Sequence, residues 1–334
     1  MPHRRALLVA PALLAAPAAR AQQRPLRIIT PFATGGATDT LARIIGARIT
    51  ALTGQAVVVE ARPGAGGDLA MQAGAAAEPD GNTLILGSDS SMVRNPMLRR
   101  GIPYDPERDF APIARLVVSW YAIAVNAALP VRTLAEFFAW ARANPGRVNY
   151  GSAGPGTLAH VIGEMMSQGL GLDMQHVPYR GASPALQDLV AGRLQFYAVS
   201  AGGLLNLPGV GRVRVRAVGG PPPPPPPPGA AHPAGAHRQP ALPGVPTIAE
   251  AGFAEYDHSA FYSLSAPARI APAFVDQTGA LLGRILAEPD TSERLAALAL
   301  DPAFLGPAEF RAFLAAERIR WREIIARTGL RLEG

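Results

Sequence analysis

Short apolar runs alternate with apolar residues at helical spacing along most of this chain, and that rhythm predicts its elements. Leu26 to Phe32 is a nearly continuous run, read as a first strand. A Gly35-Gly36 turn interrupts it. Leu41, Ile44, Ile45, Ile49 and Leu52 then recur at every third or fourth position, one buried helical face over residues 39–53, with Gly54 as the stop. The arrangement repeats further on. Arg147 to Tyr150 is a strand, Gly151 to Thr157 a second glycine loop, and Leu158, Val161, Ile162, Met165 and Met166 the buried face of the next helix. Further strands are predicted at 56–60, 83–87, 175–178, 194–199, 213–218 and 262–266. Further helices are predicted after the 62–67 turn to about Ala77, and at 133–143, 183–191, 272–287, 291–299 and 307–327, with a short one opening at Pro246. Residues 113–125 read as one extended passage into a second lobe, and 262–266 as the return. Strand–helix alternation of this kind means α/β lobes of mostly parallel sheet with covering helices.

Both glycine loops lie at the carboxyl end of a strand and the amino end of a helix. Open α/β sheets take their ligands there. Helix-start N–H groups can hold an anion at such a place without a cationic side chain.

Composition narrows the chemistry. A chain of 334 residues with 49% hydrophobic content can bury the cores of two lobes. Cysteine is absent, which excludes thiolate nucleophiles, thiolate metal sites and disulfides. Lysine is absent too, which removes Schiff-base and P-loop lysine chemistry. The net charge of +6 includes Arg4, Arg5 and Arg20 near the N-terminus, and there is no basic run interleaved with aromatics, so no nucleic-acid footprint. Residues 1–21 read as a secretory signal peptide: His3-Arg4-Arg5, an apolar stretch from Ala6 to Ala16, and Ala19-Arg20-Ala21 with cleavage expected after Ala21. That stretch is short of the ~20 residues a membrane span needs. Pro221 to Pro228 must form a polyproline II rod, so 220–240 is read as a surface insertion away from the cleft. His232 and His237 within it could suggest a metal, but two histidines in a linker rarely make a site, and none is expected here.

Several stretches, in register, resemble one family. They are Pro31-Phe32-Ala33-Thr34-Gly35-Gly36-Ala37-Thr38-Asp39, Val59-Glu60-Ala61-Arg62-Pro63-Gly64-Ala65-Gly66-Gly67, Pro79-Asp80-Gly81-Asn82-Thr83-Leu84 and Tyr104-Asp105-Pro106-Glu107-Arg108-Asp109-Phe110. His176-Val177-Pro178-Tyr179-Arg180-Gly181 and Val245-Pro246-Thr247-Ile248-Ala249-Glu250-Ala251-Gly252 follow. Together they resemble the Bug or TctC family, the periplasmic substrate-binding proteins of the tripartite tricarboxylate transporter. The resemblance implies a type II periplasmic-binding-protein fold. Lobe 1 would comprise 22–122 and 259–334, and lobe 2 would comprise 123–258. It also implies a small organic carboxylate as ligand, membrane transporter subunits as partners, a periplasmic location and a monomer. No cofactor, metal or catalysis is expected.

The implied contact loops are 32–39 and 151–157. From lobe 1 the candidate ligand contacts are Phe32, Ala33, Gly35, Gly36, Thr38, Asp39, Ser88 and Ser90. From lobe 2 they are Ser152, Gly156, Thr157, His160, Tyr179, Gly181 and Ala182. Three have simpler readings. Asp39 can serve its helix dipole, His160 can be a satisfied helix-surface histidine, and Tyr179 can be packing. One departure stands out: where the family usually has an aspartate after the 194–198 strand, this chain has Val199, which opens the cleft to a more apolar ligand. Two other classes of function compete. A serine hydrolase using Ser152 and His160 lacks the nucleophile elbow, because Tyr150 stands two residues before the serine. A binding module for sensing or for a protein partner has the octaproline as its support.

Overall fold

The computed structural model describes residues 24–205, 207, 209–219, 242, 244–256 and 258–331. The expected leader, its cleavage site and the proline-rich insertion lie outside the described residues. Among the described residues no helix is long and apolar enough to cross a membrane.

The first lobe opens with β1 (Leu26–Thr30), α1 (Ala37–Thr53), β2 (Val57–Ala61), α2 (Asp68–Ala75) and β3 (Thr83–Ser88). A five-residue π-helical turn, Ser90–Arg94, leads into α3 (Asn95–Leu98), and β4 (Phe110–Ser119) follows. The second lobe is built from β5 (Tyr121–Asn126), α4 (Leu134–Ala143), β6 (Val148–Ser152), α5 (Leu158–Leu170) and β7 (Met174–Pro178). It continues through α6 (Ala182–Ala191), β8 (Phe196–Ser200), α7 (Ala201–Leu205) and β9 (Val213–Val218). The chain then returns with β10 (Ala260–Pro267), α8 (Pro272–Leu286), α9 (Pro289–Ala296), β11 (Leu300–Leu305) and α10 (Pro307–Thr328).

The first sheet has strand order β11-β4-β10-β3-β1-β2 and the second β7-β6-β8-β5-β9. β1 is parallel to β2 and β3, and β6 is parallel to β7 and β8. β10 and β5 run antiparallel to their neighbours. The passage read as one extended stretch is two strands in two sheets, with Trp120 alone between them. Its carbonyl accepts from Ala201 N at 2.8 Å, which ties the start of α7 to the crossing.

Amphipathic spacing explains the core. Leu41, Ile44, Ile45 and Ile49 are buried against Ile28, Leu84 and Leu86, as their periodicity requires, whereas Leu52 at the end of α1 is exposed. All five apolar positions named for α5 are buried. Three local expectations need correction. Residues 246–250 carry helix-start chemistry, with Thr247 N–H on the Glu250 carboxylate at 2.8 Å and Glu250 N–H on Thr247 Oγ1 at 3.0 Å. No helix follows, because Gly252 ends it after one turn at φ +88°. The helix expected at 291–299 starts at Pro289 and stops at Ala296. Beyond it lies β11, unforeseen because it contains Pro302; it is an edge strand, where proline is tolerated.

Candidate functional site

Three helices begin at one cavity of about 380 Å3 between the lobes. α1 starts after Gly36, α5 after Thr157 and α6 after Gly181, and residues at all three starts line the cavity. None of these helices is capped by a side chain. α4 provides the contrast: Thr133 Oγ1 accepts from Glu136 N at 3.1 Å. Uncapped first turns leave N–H groups free and carry partial positive charge. Among the described residues no cationic side chain lines the cavity. The three helix starts therefore form a cradle for an anion made from backbone and neutral side chains, with Asp89 elsewhere on the wall.

The sequence expectations divide into two sets. Phe32, Ala33, Gly35, Gly36, Thr38, Ser88, Ser90, Thr157, Gly181 and Ala182 line the cavity. Gly35 holds φ +81°, which a side chain would strain, so its need is conformational rather than one of space. The other five, Asp39, Ser152, Gly156, His160 and Tyr179, do not line it. Asp39 accepts from Gly35 N at 3.1 Å and from Arg43 at 2.9 and 3.1 Å, fixing the loop from behind. Burial pushes its carboxyl up, but Arg43 and the Gly35 N–H outweigh that and hold it below its ordinary value. Ser152 is fully buried, bonded to Gly154 O and N at 3.1 Å and to His176 Nε2 at 2.7 Å. Gly156 N–H donates to His160 Nδ1 at 3.1 Å, and the His160 ring stacks on His176 with centroids 3.7 Å apart. Burial pulls His160 down to about 3 and His176 to about 4, so both are neutral near pH 7. Tyr179 Oη donates to Asp188 at 2.7 Å.

Sequence reasoning missed part of the wall. Asp89, Tyr121, Leu186, Tyr197 and Tyr262 also line the cavity, with Val199 among them. Asp89 was within reach, since it sits at the same strand end as Ser88 and Ser90. Tyr262 and Leu298 carry no local signal, because they arrive from the returning part of lobe 1. Burial holds the Asp89 carboxyl above its ordinary value, although the adjacent Arg94 and the Ser90 backbone N–H pull it the other way.

The lobes also meet beside the cavity. A Cβ added to Gly66, in the turn Ala65–Gly67, would lie 2.0 Å from Pro155 O. One on Gly156 would lie 2.1 Å from Asn95 Oδ1. Asn95 Nδ2 in turn donates to Asp68 at 2.7 Å. These contacts bring loops of the two lobes against each other beside the cavity.

The Ser152–His176 pair has the hydrogen bond of a hydrolytic dyad but not its access. Ser152 has no exposed surface, and its Oγ is shared with the Gly154 backbone. A nucleophile must reach a reacting carbon; this hydroxyl fixes the turn instead.

The family model described as tripartite tricarboxylate transporter family receptor matches residues 41–330. A protein from Pseudomonas sp. (strain P51), named UPF0065 protein in tcbD-tcbE intergenic region, is 32% identical over 303 residues, covering 90% of this chain and 85% of its own. Among solved structures, R. palustris Rpa4515 with adipate superposes with a TM-score of 0.83 at 28% identity, covering 92% of this chain and 98% of the other. MatC from Rhodopseudomonas palustris with bound malate superposes at 0.80 and 28% identity, covering 91% and 99%.

Proposed function

The chain belongs to the tripartite tricarboxylate transporter receptor family, and from that premise we propose that it is an exported solute-binding protein. It captures a small organic carboxylate between its lobes in the periplasm and hands it to the membrane subunits of a tripartite tricarboxylate-type transporter. It works as a monomer and does not transform its ligand. The observation that carries this reading is the convergence of three uncapped helix starts, one from lobe 1 and two from lobe 2, on a cavity without a cation. A carboxylate seated there would bridge the lobes and favour the closed form. Adipate and malate in the two R. palustris proteins support the ligand class. The signal-peptide reading of residues 1–21 supports export.

A melting-curve screen of residues 22–334 against small carboxylates tests the reading. A ligand at 100 times its Kd should add about 2.7 kcal/mol of stability. Gly36→Val places a branched side chain at the α1 start and should abolish the shift while the variant still melts cooperatively. Silence across di- and tricarboxylates, hydroxy acids and aromatic acids would remove the carboxylate from the proposal.

A further inference from the structure

One charged side chain, Asp89, lines the cavity among the described residues. It stands directly after β3, and its side chain keeps 5% exposure, whereas its partner Arg94 keeps none. The π-helical turn Ser90–Arg94 swings Arg94 back beneath the strand end. There Nη1 donates to the Asp89 carboxylate and Nη2 to Ser90 Oγ at 2.8 Å. The guanidinium lies 4.9 Å from the centre of the Trp321 ring on α10.

A pair of this kind is a poor packing device. Taking both charges out of water is costly, and an apolar pair of the same volume commonly serves stability as well. What an apolar pair cannot supply is an acceptor at the cavity wall. An ionised carboxylate only accepts hydrogen bonds. Water in the open cavity can donate to the face of Asp89 that Arg94 leaves uncovered. A ligand that expels this water must donate in its place, or the carboxylate is left unpaired.

The chemistry of the donor follows from the charges. A second ligand carboxylate at this point meets like charge. An ammonium brings a positive charge beside Arg94, whose own counter-ion is the same carboxylate. A hydroxyl donates one hydrogen bond and adds no charge. We propose that Asp89 is a specificity-determining residue, selecting carboxylates that bear a hydroxyl group. The ligand carboxylate occupies the helix starts and the hydroxyl donates to Asp89. This rests on the reading of the cleft as a carboxylate site.

The test uses matched ligands on the purified protein by titration calorimetry: malate against succinate, mandelate against phenylacetate, 3-hydroxybutyrate against butyrate, and the amino acids aspartate and phenylglycine. In every pair that binds, the hydroxy acid should bind at least about tenfold tighter than its deoxy partner, because a site built for a hydroxyl rejects the analogue lacking it. In Asp89→Leu/Arg94→Met, which removes the pair without stranding a charge, that ratio should fall to within about twofold. Asp89→Asn serves as the second variant should the double one fail to fold, and there the ratio should shrink in the same direction. Equal binding of hydroxy and deoxy acids by the wild type overturns the inference and leaves the carboxylate site standing. So does an ammonium preferred over a hydroxyl, or a ratio that survives the double variant. Binding of none of these ligands sinks the carboxylate reading itself, and this inference with it.

Discussion

His160 was open to two readings, a ligand contact or a satisfied helix-surface histidine, and the fold buries it behind the second glycine loop. Its position after the second glycine loop suggests a ligand contact. In the fold its Nδ1 holds the Gly156 N–H and its ring lies flat on His176, from a strand 16 positions away in sequence. Nothing local in the sequence announces that partner. Asp39 is the reverse case: its first-turn position was legible, and its bonds to Gly35 and Arg43 make it a brace for the loop. The buried histidines give a pH dependence. Burial pulls His160, His176 and His258 to about 3, 4 and 3, whereas an unfolded histidine titrates near 6.5. The unfolded state therefore takes up protons first as pH falls, so stability is lost below about pH 6.5, and the loss levels off only below the folded values. Each histidine contributes up to about 1.4 kcal/mol per pH unit in that window. Urea unfolding between about pH 7 and pH 5 should show the decline, above the range where most carboxylates titrate. His160→Gln should reduce its slope. A flat profile over that interval would show that these rings are not held neutral.

Among elements, those that hold the candidate site were the most legible. Strand, glycine loop and helix recur twice with clear periodicity, and both loops reach the cavity wall. The exceptions have physical causes. β11 hides behind Pro302, and the π-helical turn that carries Arg94 has no composition of its own. The turn at Thr247 has the chemistry of a helix start but is stopped by Gly252. The helix starts themselves can be tested. Ser183, exposed in the first turn of α6, also lines the cavity. Ser183→Asp would set a fixed carboxylate at that helix start, gaining about 0.3–1 kcal/mol from the dipole in the free protein. The same charge should repel a carboxylate ligand and weaken its binding by roughly tenfold or more. Calorimetry and a melting curve read both signs on one variant. Undiminished affinity would mean that α6 does not face the bound anion.

At the scale of the whole molecule, the order of strands in each sheet was not legible, but the two-sheet plan was, because the returning strand at 260–267 follows a clear apolar run. What the sequence could not show is that Gly66 and Gly156, both at positive φ, also leave no room for a side chain against the opposite lobe. A Cβ on Gly66 would run into Pro155 backbone, which cannot step aside as a flexible side chain would. Gly66→Ala should therefore hold the lobes apart. Ligand affinity should drop about tenfold or more, equivalent to about 1.4 kcal/mol. The radius of gyration measured with saturating ligand should stay larger than that of the wild type. The ligand-free variant should lose little more than the ordinary cost of alanine at positive φ, about 1–2 kcal/mol. Wild-type affinity and wild-type compaction would show that these loops do not limit closure.

Trp120, the single residue between the two sheets, has one more consequence. Its indole N–H donates to Asp301 in lobe 1, its carbonyl holds the start of α7 in lobe 2, and it is buried against Ala201 and Ala299. Any rotation of one lobe against the other must alter the polarity around that ring. The chain has three tryptophans. Trp140 lies on a helix of the second lobe, and Trp321 is packed in the interior against Arg94. Neither spans the junction. Trp120 thus stands where a change of angle between the lobes would be read as a shift in the emission of one indole, without any attached dye.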